Sequence, residues 1–308
     1  MSDHKPPTLP EALRAAYPWT GHTLEVDGGA LHYLDVGPRD GHVLLCLHGN
    51  PTWSFYWRKV VARFSDRYRV IVPDHMGCGL SEKPQKWDYR LAQHVANVSR
   101  LVDHLDIKRF TLVVHDWGGA IGMGVAVDRP ELVARFVVTN TAAFLSNDIP
   151  LSISSVRIPG FGALAVRGMN GFARVATFRA VERPLSDEAR AGLLFPYDSW
   201  KNRIATLRFV QDIPMKPSHP SYPTLAHIDQ GLAGLVDRPM LLVWGERDFC
   251  FTSAFRAEWQ RRFPGARHVP LDAGHYVLED EPDAVLSAMA GFFAETHEVE
   301  APDAGAGA

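Results

Sequence analysis

The segment Thr111-Leu-Val-Val-His-Asp116-Trp117-Gly118-Gly119-Ala-Ile-Gly-Met-Gly124 joins a short apolar run to a glycine-rich helical pattern. Apolar runs of this length are typical of buried strands, and the glycines permit a tight strand-to-helix turn. Such a turn lifts the side chain at its apex, here Asp116, out of the sheet, and the N–H groups that follow favour negative charge. A carboxylate in this place can act as a nucleophile without losing a proton first, and its intermediate is an ester.

Strand-length and helix-length patterns alternate along much of the remaining chain, which is typical of the α/β class with a mostly parallel twisted sheet flanked by helices. The predicted strands are 42–48, 68–73, 110–115, 134–140, 240–244 and 268–271. The predicted helices include 54–64, 91–105, 119–127 and 253–263.

The alternation stops between the fourth and fifth predicted strands, where Pro, Gly and aromatic residues are mixed with helical patterns. A connection of this length is too long for a plain loop, so we expect an inserted helical cap over the carboxyl ends of the strands. The predicted division is a core in two parts, 1–142 and 236–297, a helical cap at 143–235, and a disordered acidic tail at 298–308.

Composition excludes several classes of protein. The 308 residues are 46% hydrophobic with a formal net charge of -3, which provides no basic stripe for nucleic acid and no polybasic membrane patch. We find neither a signal peptide nor a window apolar enough to span a membrane, so we expect a cytoplasmic protein. Three distant cysteines form no Cys-x-x-Cys pair, and we expect no metal and no cofactor.

Two further polar residues follow the last two predicted strands. Asp248 follows the strand at 240–244, and His275 follows the strand at 268–271. Taken alone, an aspartate that follows a strand, as Asp116 does, is most often a helix N-cap. The chain order of nucleophile, acid and histidine, with each at the end of a different strand, instead predicts a catalytic triad.

The acid of the triad has competitors in Asp272, Glu246 and Asp148. Asp248 is preferred because it lies on the loop after its strand and can reach His275 across the site. The segment 139–144, after the preceding strand, contains no carboxylate.

A second loop, Leu47-His48-Gly49-Asn50-Pro51-Thr52-Trp53, follows the first predicted strand. The backbone N–H groups of Asn50 and Trp117 are candidates for an oxyanion hole. Their side chains, an amide and an indole that only donates, are candidates for holding a halide or a departing carboxylate. A turn residue and a core residue are the plain structural alternatives. His48 and His115 are interpreted as packing residues.

The segments 48–53 and 115–119, with Asp248 and Gly274-His275, resemble the α/β-hydrolase superfamily and within it the haloalkane dehalogenase family. The acid at Asp248 with the Asn50 and Trp117 donors is similar to its third subfamily, which includes the β-lactone decarboxylases of bacterial long-chain olefin biosynthesis. Similar segments in the cap region and nearby are 140–144, 167–172, 196–200 and 248–251.

The resemblance implies decarboxylation of a cis-3,4-dialkyl β-lactone to a cis-alkene through an ester on Asp116. It implies a small apolar substrate, with other enzymes of an olefin pathway as candidate partners. Dehalogenation of a haloalkane by the same triad is the main alternative. An epoxide hydrolase using Tyr197 and Tyr222, and a non-catalytic ligand receptor, are further alternatives; the oligomeric state stays open.

Overall fold

The computed structural model describes residues 6–300, and these contain one sheet of eight strands. The strands are β1 (His22–Val26), β2 (Gly29–Val36), β3 (Val43–Leu47), β4 (Arg69–Pro73), β5 (Phe110–His115), β6 (Val133–Thr139), β7 (Met240–Gly245) and β8 (Arg267–Leu271). Their spatial order is β1-β2-β4-β3-β5-β6-β7-β8. The pairs β1/β2 and β2/β4 are antiparallel, and all other neighbours are parallel. The predicted fold class is confirmed.

The described residues also contain twelve α-helices. They are α1 (Glu11–Arg14), α2 (Arg58–Phe64), α3 (Leu91–His104), α4 (Trp117–Asp128), α5 (Leu151–Ser155), α6 (Gly171–Arg179), α7 (Asp187–Leu194), α8 (Ile204–Gln211), α9 (Tyr222–Gly231), α10 (Ser253–Arg262), α11 (Val277–Asp280) and α12 (Pro282–Glu295). Within residues 6–300, no helix is both long and apolar enough to cross a bilayer.

Both faces of the sheet are covered by apolar side chains, which explains why the central strands show continuous apolar runs. Along β5, Leu112 and Val114 pack in a cluster with α3, α4 and α10. Val113 points the other way, into a cluster with α2 and α12. A core of this kind fixes the sheet, so the loops at its carboxyl edge are held in place.

The antiparallel pair β1 and β2 is the part of the sheet that the sequence pattern did not reveal. β1 alternates between exposed and buried residues over only five positions, so its apolar signal is short. The turn between the strands places Gly28 at a φ of 85°, a left-handed conformation that glycine adopts readily.

Between β6 and β7 the chain forms helices α5–α9, a π-helix at Ala163–Gly168 and short 3-10 turns, with no strand. Every residue of this stretch lies within the described part of the chain. We propose that residues 143–235 act as the expected cap.

The predicted tail is wrong for residues 298–300, which form a 3-10 turn with His297. The carboxylate of Glu300 accepts a hydrogen bond from Arg135 at 2.6 Å, and Arg135 is fully buried. A buried guanidinium needs such a partner, and its burial cannot be read from the local sequence. Residues 301–308 of the predicted tail lie outside the described residues.

Candidate active site

Asp116 lies at the turn between β5 and α4, with a φ of 52°. This strained conformation points its side chain away from the sheet. Two glycines make room for the turn: a Cβ on Gly118 would lie 2.1 Å from the Leu47 carbonyl oxygen, and one on Gly49 would lie 2.1 Å from Asp116 Oδ1. A side chain at either position would collide with these atoms, which explains why both residues are glycine.

The carboxylate of Asp116 is almost completely buried, with 7% of the residue exposed. The Asn50 backbone N–H donates to Asp116 Oδ1 at 2.6 Å. Burial raises the pKa of Asp116, and His275 with the backbone N–H groups of Asn50 and Trp117 offsets part of this effect. The backbone N–H groups of Asn50 and Trp117, predicted as an oxyanion hole, thus donate to the carboxylate of Asp116 itself, which is shielded from water.

His275 connects the two predicted carboxylates. Its Nδ1 donates to Asp248 Oδ2 at 2.7 Å, and its Nε2 lies 3.6 Å from Asp116 Oδ2. Burial alone would lower the pKa of His275, but the carboxylate of Asp248, together with Asp116, outweighs it and raises the pKa. The structure brings all three predicted triad residues together.

Asn140 is a site residue that the sequence interpretation missed. It follows β6, and its Nδ2 donates to Asp248 Oδ2 at 2.9 Å and to the Gly245 carbonyl at 3.1 Å. Its Oδ1 accepts the Gly245 N–H at 2.8 Å. Asn140 thus fixes the loop that carries Asp248. The sequence signals were its place in the similar segment 140–144 and an asparagine at a strand end, which is also typical of an ordinary turn.

The side chains of Asn50 and Trp117 both line the cavity above Asp116. One N–H of the Asn50 amide donates to the Thr206 carbonyl of α8 at 3.1 Å. The Trp117 ring packs on Phe209, with centroids 5.2 Å apart. Within residues 6–300 no partner is found for Asn50 Oδ1. Both side chains are therefore anchored to α8 at the edge of the cavity.

The alternative acids lie elsewhere. Asp272 is an exposed carboxylate paired with Arg247, and Glu246 pairs with Arg256 at 2.8 Å. Asp148 is exposed and lines the outer part of the cavity.

The two flanking histidines are buried and hydrogen-bonded to backbone groups. His48 Nδ1 donates to the Gly49 carbonyl at 2.7 Å, and His115 Nε2 donates to the His275 carbonyl at 2.9 Å. Burial lowers the pKa of both, so they are neutral packing groups.

The cavity above Asp116 has a volume of about 350 Å³ and is mostly apolar. Its floor includes Asp116, Trp117 and His275, and the region 143–235 provides much of the wall. The apolar wall residues include Phe144, Ile149, Ile153, Val156, Phe172, Val175, Val210, Ile213, Leu225, Phe249, Phe251 and Phe255. Such a cavity suits an apolar small molecule that presents one polar group to the floor.

Tyr197 and Tyr222, the candidate acids of an epoxide hydrolase, are absent from the cavity wall. The Tyr197 hydroxyl donates instead to the Thr52 carbonyl at 3.1 Å, and this tyrosine is fully buried.

Comparison with known proteins gives consistent matches. The family described as alpha/beta hydrolase fold matches residues 42–282. A cis-3-alkyl-4-alkyloxetan-2-one decarboxylase of Shewanella oneidensis is 42% identical over 292 residues, covering 92% of this chain and 91% of that protein. Haloalkane dehalogenase 2 of Mycobacterium tuberculosis is 31% identical over 277 residues, covering 89% and 94%. The crystal structure of haloalkane dehalogenase DbeA from Bradyrhizobium elkani matches with a TM-score of 0.84 at 28% identity, covering 91% and 99%.

Proposed function

We propose that this chain, which belongs to the α/β-hydrolase fold family, converts a cis-3-alkyl-4-alkyloxetan-2-one to a cis-alkene and CO2. The observation that carries the proposal is an anchored, poorly solvated carboxylate, Asp116, at the floor of an apolar cavity. The 42% identity to a decarboxylase of this substrate class supports it. An enzyme that closes the lactone ring would supply the substrate.

The first step is attack of Asp116 Oδ2 on the saturated (sp3) ring carbon that is bonded to the ring oxygen. Oδ1 is held by the Asn50 N–H, so it becomes the carbonyl oxygen of the ester. The carbon–oxygen bond of the ring breaks with inversion, and its electron pair leaves as a carboxylate. The Trp117 indole N–H and the second N–H of the Asn50 amide receive this charge.

The second step breaks the bond between the new carboxylate and its carbon. The electron pair of that bond forms the carbon–carbon double bond, CO2 leaves, and Asp116 departs as carboxylate. Inversion followed by anti elimination amounts to syn loss, so a cis lactone gives a cis alkene. The step consumes no water, and His275 serves to tune the charge of Asp116.

Dehalogenation is the second candidate, and the intact hydrogen bond between His275 and Asp248 favours it. In that reaction, Asp116 displaces halide, which Trp117 and Asn50 bind. His275 Nε2 then activates water to hydrolyse the ester. Both reactions form an alkyl ester on Asp116 first, and they differ in how that ester is broken.

Turnover in water enriched in oxygen-18 separates these reactions. Hydrolysis of the ester carbonyl places the label in Asp116, whereas decarboxylation returns the aspartate unlabelled. We expect a cis-3,4-dialkyl β-lactone to give one equivalent of cis-alkene and no label in the peptide containing Asp116, as read by mass spectrometry. Release of bromide from 1-bromobutane at ordinary enzymatic rates, with the lactone left intact, would refute the decarboxylase proposal.

A ligand receptor on the same fold makes a different prediction for Asp116→Asn. In an enzyme the variant binds its ligand and loses turnover. A biological output unchanged by the substitution would favour the receptor.

A further inference from the structure

The region 143–235 exposes an unusual amount of apolar surface within a short segment. Among the described residues, the large hydrophobic residues that are more than half exposed all fall between positions 151 and 178. They are Leu151, Ile158, Phe161, Leu164, Met169 and Phe178. Scattered exposed apolar residues are ordinary, but a concentration of them marks an interaction surface. We call residues 151–179 the apolar segment.

The same segment is cationic. It contains Arg157, Arg167, Arg174 and Arg179 and no aspartate or glutamate, although the whole chain has a net charge of -3. Within residues 6–300, none of these arginines lies within ion-pair distance of a carboxylate. Arg174 and Arg179 are exposed, whereas Arg157 and Arg167 are half-buried. The overall charge balance therefore conceals a local basic surface at Arg174 and Arg179 that the composition did not reveal.

The apolar segment also reaches the wall of the substrate cavity. From α5, Ile153 lines the cavity while Leu151 is 88% exposed. From α6, Phe172 lines the cavity and Phe178 is 63% exposed. Val175 does both, since it lines the cavity and is 45% exposed. The exposed apolar surface is therefore continuous with the apolar wall.

We propose that the apolar segment docks on the surface of an anionic phospholipid bilayer and opens the cavity toward the lipid. Exposed aliphatic and aromatic side chains insert between acyl chains, and interspersed arginines pair with phosphate headgroups. A surface that combines arginines with exposed apolar side chains and contains no carboxylate is complementary to an anionic bilayer, which attracts the basic groups and takes up the apolar ones. Docking is inferred from this surface alone. Delivery of a dialkyl β-lactone from the lipid to the cavity rests on the proposed function.

Vesicle flotation of the full chain tests the docking without any substrate. We expect it to float with vesicles of equal phosphatidylglycerol and phosphatidylcholine and to remain unbound with phosphatidylcholine alone. Raising the salt from about 0.1 M to about 1 M shortens the Debye length from about 10 Å to about 3 Å and should release most of the protein.

Two sets of variants assign the binding to the apolar segment. The triple variant Phe161→Ser/Leu164→Ser/Phe178→Ser should lower the bound fraction about fivefold or more. Arg174→Glu should lower the bound fraction on the anionic vesicles by reversing one exposed charge. Val236→Ser, an exposed apolar residue elsewhere on the surface, is the matched control and should bind like the wild type. All these positions are exposed, and thermal melting verifies that each variant folds.

Failure of the wild type to float, or equal flotation of the triple variant, would overturn the proposal. So would self-association in sedimentation that the triple variant abolishes while vesicles bind nothing, since that result assigns the surface to a protein interface. Turnover of a short-chain lactone without vesicles is measured in parallel. The failure of docking and the failure of the proposed reaction are thus separate results.

Discussion

The turns after β5 and β7 each bury an aspartate, yet the two carboxylates have opposite surroundings. Asp248 accepts hydrogen bonds at both oxygens, from Asn140, from His275 and from a backbone N–H. Asp116 accepts the backbone N–H groups of Asn50 and Trp117, the former at Oδ1, and its Oδ2 lies at the cavity floor with His275 Nε2 3.6 Å away. One carboxylate is saturated with donors, and the other keeps an oxygen free to react.

Burial alone therefore does not make a carboxylate reactive. A buried carboxylate whose lone pairs are all occupied is stabilised as a charge and orients its neighbour. Burial raises the pKa of Asp116, and the backbone N–H groups of Asn50 and Trp117 with His275 offset only part of this rise. We therefore expect substitutions in the two turns to have unequal effects.

The largest effect is expected for Asp116→Asn, which should reduce lactone turnover by at least about 10⁴-fold because an amide cannot form the ester. Asp248→Asn keeps the nucleophile and should cost no more than about 10²-fold in the same assay. Steady-state alkene production measures both. The exposed Asp272→Asn is the matched control. Equal losses for Asp116→Asn and Asp248→Asn would contradict the comparison.

The next effect separates the two ways of breaking the ester. His275→Ala should leave lactone turnover within about tenfold of wild type, since decarboxylation needs no activated water. With a haloalkane, the same variant should stall after the first step, a loss of about 10³-fold or more. Mass spectrometry should then find an alkyl group on Asp116. Loss of lactone turnover to the same extent would show that His275 acts as a base in both reactions.

The third prediction concerns pH. Activating water requires neutral His275, and the pKa of this residue is raised above its ordinary value of 6.5. The rate of any haloalkane hydrolysis should therefore rise roughly tenfold per pH unit, starting below pH 6.5, until the pH exceeds the raised pKa of His275. Lactone turnover should stay nearly flat over the same range. Parallel kcat profiles for the two substrates decide this, and a steep lactone profile would count against a water-free second step.

The smallest effect is expected for Asn140, which holds the Asp248 loop, and it concerns stability rather than activity. Asn140→Gly keeps the positive φ of 33° but loses the amide bonds to Gly245 and Asp248. The free energy of unfolding in urea should fall by about 2 kcal/mol. Asn170→Gly, also at positive φ but with one amide bond, to the Tyr197 carbonyl, is the matched control and should lose about 1 kcal/mol or less. Equal losses would mean that Asn140 is an ordinary turn residue.

The sequence was sufficient for the parallel part of the sheet because its strands β3 to β7 are mostly apolar runs followed by turns. The last parallel strand, β8, is more polar and less buried. It also placed Asp116, Asp248 and His275 at strand ends, which is why the fold could bring them together. Asn140 was missed because its role depends on Asp248, which lies 108 positions further along the chain. The β1–β2 pair was missed because its alternation is short and half exposed.

The contact between Glu300 and buried Arg135 has a practical consequence for handling the protein. The 3-10 turn at His297–Glu300 places Glu300 beside Arg135, which also donates to the Thr296 carbonyl at 2.9 Å just before the turn. A chain cut before His297 would leave this guanidinium short of its carboxylate partner inside the fold. Affinity tags and fluorescent fusions should therefore be joined beyond position 300, where they leave the arginine's acceptors in place.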